Sequence, residues 1–175
     1  MILTDLLFLY SGGATNADPN ASLGGVKSSH VVPSNVLENL FDEVSLAERE
    51  VGMIDYRCFY IENAHALDSL LLAALFIQSQ TPATSTSIAL GVDPAGISAE
   101  AQTIVDQTTA PVGVTFLDYP PEGNGLSLGS ILAGDYIGIW ARRTVAAMSS
   151  TPVSDPFTLR LTGVPVTETA SPSSP

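Results

Sequence analysis

The chain has 175 residues, 45% of them apolar and only 14% charged, a balance that predicts a folded domain rather than a disordered chain. Eighteen acidic residues stand against six basic ones, for a formal charge of −12, and Lys27 is the single lysine. Phosphate binding needs a clustered basic surface, so the composition argues against nucleic acid and against an anionic membrane surface as partners. The polar residues are mainly Ser, Thr, Asn and Gln, which suits a β protein better than a helical one.

Residues 1–10 carry the apolar run MILTDLLFLY, read as a short strand or an apolar arm. Asp5, the missing basic flank and the missing small-residue cleavage site argue against a signal peptide. The following SGGATNADPNASLGG, Ser11 to Gly25, is long for a loop inside a compact domain, and residues 1–30 are expected to form an N-terminal arm. In VPSNVLENLFDEVSLAERE, Val36, Leu37, Leu40 and Phe41 recur at helical spacing and Ser45 with Glu48 has the spacing of a capping box. A short helical turn is predicted near 34–48.

From residue 51 onward, strand-length segments alternate with turn-forming residues. The expected strands are 53–62, 69–78, 86–92, 112–117, 126–131, 135–146 and 156–163. FTLRLTG alternates cleanly, with Phe157, Leu159 and Leu161 on one face and Thr158, Arg160 and Thr162 on the other. In TSIALGV, Ile88, Leu90 and Val92 point inward by the same rule. SLLLAALFI is apolar on both faces, as in a strand covered on both sides, though periodicity alone leaves a buried helix open. DPAG at Asp93 to Gly96 reads as a turn, and 99–109 as a helical turn or a crossing loop. The fold class that follows is all-β, an Ig-like or jelly-roll-like antiparallel β-sandwich over 31–163, with a flexible C-terminal tail over 164–175.

No catalytic constellation emerges. His30 and His65 lack the further ligands a zinc site needs. Cys58 lies in mid-strand and reads as a buried small hydrophobe, and no third group orients His65 as a base that would make the thiol a nucleophile. Asp93 and Asp118 are two loop carboxylates among many. The expectation is a soluble, intracellularly assembled, non-enzymatic protein without cofactor or metal. The arginines are more informative, because Arg57, Arg142, Arg143 and Arg160 fall on predicted strands, where each needs water or an acidic or carbonyl partner. Two readings stay open. In one, these arginines close structural ion pairs with acids such as Asp55 or Glu62. In the other, Arg57, Trp140, Arg142 and Arg143 form an interface, with Trp140 and Arg142 on one face as its anchors.

The ordered segments SGGATNADPNASLGG, LFDEVSLAEREVGMIDYRCFYIEN, LGVDPAG, TAPVGVTF, LSLGSILAGDYIGIWARRTV and FTLRLTG, spanning residues 10–163, together resemble small virion structural proteins of tailed bacteriophages. The resemblance implies a β-sandwich component of the particle, assembled in the host cytoplasm. Such a protein would decorate the capsid or sit at the periphery of the neck or tail, with other virion proteins and its own copies as partners. No binding residue carries over. The competing expectation is a receptor- or carbohydrate-binding module, for which Tyr119 beside Pro120 and Pro121 is the best aromatic candidate.

Overall fold

A computed structural model describes residues 5–148 and 156–167. Seven strands form two antiparallel sheets: β1 (Leu6–Tyr10), β2 (Met53–Asn63), β3 (Asp68–Ser79), β4 (Thr86–Ile97), β5 (Leu126–Ile131), β6 (Tyr136–Val145) and β7 (Thr158–Thr167). The first sheet has the order β1-β2-β6-β4 and the second β5-β3-β7, so the protein is an all-β sandwich as its alternation predicts. Chain neighbours β2 and β3, β3 and β4, β4 and β5, and β5 and β6 lie in different sheets. The core between the sheets is built from one face of each strand, including Phe59, Ile61, Ile137, Ile139, Leu75, Ile77, Ile88 and Leu90.

Over its described part, residues 5–30, the expected arm is not an arm. Leu6–Tyr10 pairs with Phe59–Asn63 as an edge strand, and Leu9 and Tyr10 are buried. The loop that follows folds back across the outer face of the first sheet, held by the buried serines Ser11 and Ser22. Ser11 Oγ donates to the Cys58 carbonyl at 2.9 Å and accepts from Gly24 N at 3.0 Å, and Cys58 N donates to the Ser22 carbonyl at 2.8 Å. Short polar side chains satisfy buried backbone groups here that a strand partner would otherwise take.

The segment 99–117 lies over the same outer face as a crossing loop. Gly25 N donates to the Ala101 carbonyl and Ile104 N to the Leu23 carbonyl, tying the two loops to each other. The expected strand at 112–117 is reduced to one bridge between Leu90 and Leu117. The chain there passes so close over Gly91 that a Cβ at that position would lie 2.4 Å from Val114 Cγ1 and 2.6 Å from the Thr115 carbonyl oxygen. Beneath these loops lies a second cluster of Leu9, Tyr56, Cys58, Tyr60, Ala101, Ile104 and Trp140. Strands β2 and β6 are therefore buried on both faces.

The expected two-sided burial of SLLLAALFI does not hold for β3. Leu75 and Ile77 enter the core, whereas a bulge puts Leu72 at φ 52° and leaves it 77% exposed. DPAG is likewise a bulge within β4, between Val92 and Ile97, with Ala95 N donating to Asp93 Oδ1. The tail expected from 164 is strand over its described part, since Val164–Thr167 continue β7 against Asp68–Leu71; the remainder, 168–175, lies outside the described residues. In β7 the predicted alternation is kept: Leu159 and Leu161 pack against the core while Thr158, Arg160 and Thr162 are exposed.

The helix α1 occupies Leu46–Val51, started by the capping box of Ser45 and Glu48. The apolar positions at 36–41 do not form a helical turn. Asn35 and Glu38 take φ of 58° and 57°, which breaks any helix there, and Leu40 and Phe41 are drawn into the core instead.

Candidate functional site

Strand alternation sends Asp55, Arg57 and Arg143 to the inner face of the first sheet, with Asp55 directly opposite Arg143. The two form a forked pair: Arg143 Nε donates to Asp55 Oδ1 at 3.1 Å and Nη2 to Oδ2 at 2.8 Å. Arg143 then reaches the irregular segment 31–44, donating through Nη1 to the Asp42 carbonyl at 2.6 Å and through Nη2 to Asp42 Oδ1 at 3.2 Å. Arg57, with no exposed surface, lies 3.6 Å from Asp42 Oδ1 and donates to Gln107 Oε1, Asn20 Oδ1 and the Tyr56 carbonyl. Among the described residues its Nε alone is without a hydrogen-bond partner. The Phe41 ring sits under both guanidinium groups, 4.8 Å from Arg143 Cζ and 5.8 Å from Arg57 Cζ.

Two arginines and two aspartates thus make a charge-balanced lock that fastens the 31–44 segment to one end of the sandwich. Burial pushes the Asp55 carboxyl up from the ordinary carboxylate range, opposed by the Arg143 fork and by Arg57. Burial likewise lowers Arg57, opposed by Asp55 and Asp42.

The four residues considered as an interface are therefore not one surface. Arg57 and Arg143 are internal. Trp140 and Arg142 do share a face, but that face is roofed by loops: Trp140 is fully buried and donates from Nε1 to Asp93 Oδ2 at 2.8 Å. Arg142 is half-buried, its guanidinium 5.3 Å over the Phe116 ring. Trp140 has no surface to offer a partner, because the loops 11–30 and 99–117 have already taken it. Glu62, the other acid considered for an arginine, pairs with Lys27 at 2.6 Å.

The remaining candidates also resolve into local roles. Cys58 is fully buried, and burial pushes its thiol far up from the ordinary range. Tyr60 hydroxyl donates to the Gly25 carbonyl and accepts from Ala101 N at 2.7 Å, pinning both covering loops to β2. His65 accepts through Nδ1 from Asp68 N at 2.6 Å and lies with Nε2 3.6 Å from Asp68 Oδ2. Among the described residues no group of three or more His, Cys, Asp or Glu side chains is placed to hold a metal ion, and no helix is long and apolar enough to cross a membrane. Asp93 is engaged with Trp140 and Gln102, and Asp118 with Gln80. Tyr119 packs partly into the core, and burial raises its hydroxyl.

What sequence reading missed is a groove. The first sheet has four strands and the second three. On the side of β7 away from β3, the irregular segment 31–44 faces Phe157–Leu159 across a gap. Between them runs a groove of about 470 Å³ lined by Leu6, Phe8, Val36, Leu37, Phe157 and Leu159 among others, with Glu38, Asp42 and Glu43 also contributing. No residue of β3 or β5 lines it. The one hint in the sequence was the set of apolar residues at 36–41, too many for a solvated loop.

No family model, curated protein or solved structure matches the chain.

Proposed function

We propose that the chain is a non-enzymatic accessory protein of a tailed-phage particle, decorating the capsid or attached at the periphery of the neck or tail. The observation that carries this reading is an exposed apolar strip at one end of the β3–β7 ladder. Leu67 is 62% exposed, Leu72 77%, Val164 51% and Val166 40%, with Leu71 paired to Val164 and Ser69 to Val166. Large apolar side chains left exposed together along one ladder are the kind of surface that marks contact with another protein. A large negative charge keeps free copies soluble and apart, and many weak contacts to a symmetric particle then add through avidity. The resemblance of the ordered segments to virion proteins of tailed phages supplies the identity of that particle.

Purified particles with and without this chain, imaged by electron microscopy, test the reading. Discrete surface density present only with the chain supports it. Particles that form normally and never contain the chain overturn it.

A further inference from the structure

β7 is hydrogen-bonded to β3 along one edge, and among the described residues its other edge has no backbone partner. An unpaired edge is a template for another strand. Here it borders an apolar groove, since Phe157, Thr158 and Leu159 line the groove on one side and Leu6–Phe8 and the 31–44 segment on the other. The volume of about 470 Å³ falls in the range of preformed binding sites, roughly 300–1,000 Å³. The arginine–aspartate lock holds the far wall in place before any partner arrives.

We propose that this groove accepts an extended apolar segment of a partner protein, flanked by basic side chains, which pairs with the open edge of β7 as the fourth strand of the second sheet. The open edge favours a peptide over a small apolar molecule or an acyl chain, neither of which can use a row of backbone donors and acceptors. The charge of the partner segment follows from the rim. Glu38 and Glu43 are exposed and have no cationic partner among the described residues. A second copy of this chain brings a further −12 and is repelled, so the occupant is a different protein. The inference concerns the groove alone and holds whether or not that protein belongs to a virion.

The test uses the full-length protein and fluorescein-labelled peptides of about seven residues, the length of an ordinary strand, alternating valine and threonine. One series ends in lysines, the other in glutamates. The lysine series gives saturable anisotropy changes, and amide shifts gather at Phe157–Leu159 and Leu6–Phe8. Glu38→Lys with Glu43→Lys, both at exposed positions, weakens the lysine series about tenfold and admits the glutamate series. No saturation of the lysine series by about 1 mM overturns the proposal, as does equal binding of the two series. Shifts confined to other residues, or self-association that perturbs these same amides, overturn it as well. Because the assay contains no particle, its outcome is separate from that of the imaging experiment.

Discussion

Arg143→Ala removes one half of a buried forked pair and leaves Asp55, which has no exposed surface, facing the cavity of the missing side chain. It also deletes both guanidinium bonds to Asp42 and the stacking on Phe41. Breaking a buried pair by removing one partner costs about 3–5 kcal/mol. For a domain of this size, that lowers the melting temperature by about 6–20 °C. The loss depends on pH in a stated direction. Asp55 is already raised by burial, and the variant lacks its strongest opposing charge, so its folded-state value rises further above the ordinary 3.8. A raised carboxyl contributes stability below its unfolded value and loses it as pH rises through the folded value. The variant is therefore most defective at neutral pH and recovers part of its deficit toward pH 3.8. Urea unfolding of both proteins across this range reads the effect, with Asp55→Leu/Arg143→Met as the companion that restores most of the stability but still frees the 31–44 segment to protease. A loss under about 1 kcal/mol, or one that does not shrink on acidification, refutes the description of the lock.

Trp140 is the only tryptophan, so the native emission is blue-shifted and resists acrylamide; Trp140→Phe removes one of the hydrogen bonds to the buried Asp93 carboxylate, leaving those from Ala95 and Gln102, and lowers stability by about 1–3 kcal/mol in urea titration. Cys58, fully buried and raised by burial, stays unreactive to a thiol reagent at pH 8 in native protein and reacts at once in denaturant. Asp106 is held below the ordinary carboxylate range, first by hydrogen bonds from the Thr108 and Thr109 hydroxyls and then by their backbone N–H groups. Its contribution is present above 3.8 and is lost as pH falls through the depressed folded value, so exchange of the Thr108 and Thr109 amides accelerates in that acid window while the β2 centre stays protected.

Strands whose side chains answer to one core and one solvent face were legible in the sequence, as at Phe157–Thr162 and Ile88–Val92, because period-2 alternation is a local property. The acidic partner of Arg143 was legible for a similar reason: a buried strand arginine needs an acidic or carbonyl partner, and Asp55 was within the named choices. The failures share a different cause. Leu6–Tyr10 looks like an arm until its partner, more than forty residues away, is in place. The interface reading of Trp140 failed because alternation gives the face but not what covers it, and the cover comes from two loops whose affinity for that face is spread over Ser11, Leu23, Ala101 and Ile104. The path of 31–44 depends on two arginines from distant strands, and helical spacing at Val36, Leu37 and Leu40 pointed elsewhere.

The strand order has a kinetic consequence. Of the ladders, only β1–β2 joins strands adjacent in chain order, and even these are separated by Ser11–Gly52. Among the described residues the fold therefore offers no tight hairpin as a nucleus. The first sheet cannot be completed until Tyr136–Val145 has been synthesised, because β6 is the strand that unites β2 with β4. Each pairing pays loop-closure entropy before it gains contact energy, which places the protein with high-contact-order β domains that fold in milliseconds to seconds. During that interval the apolar runs of β2 and β3 are exposed and unpaired, and the large negative charge keeps nascent copies apart while they wait for their partners.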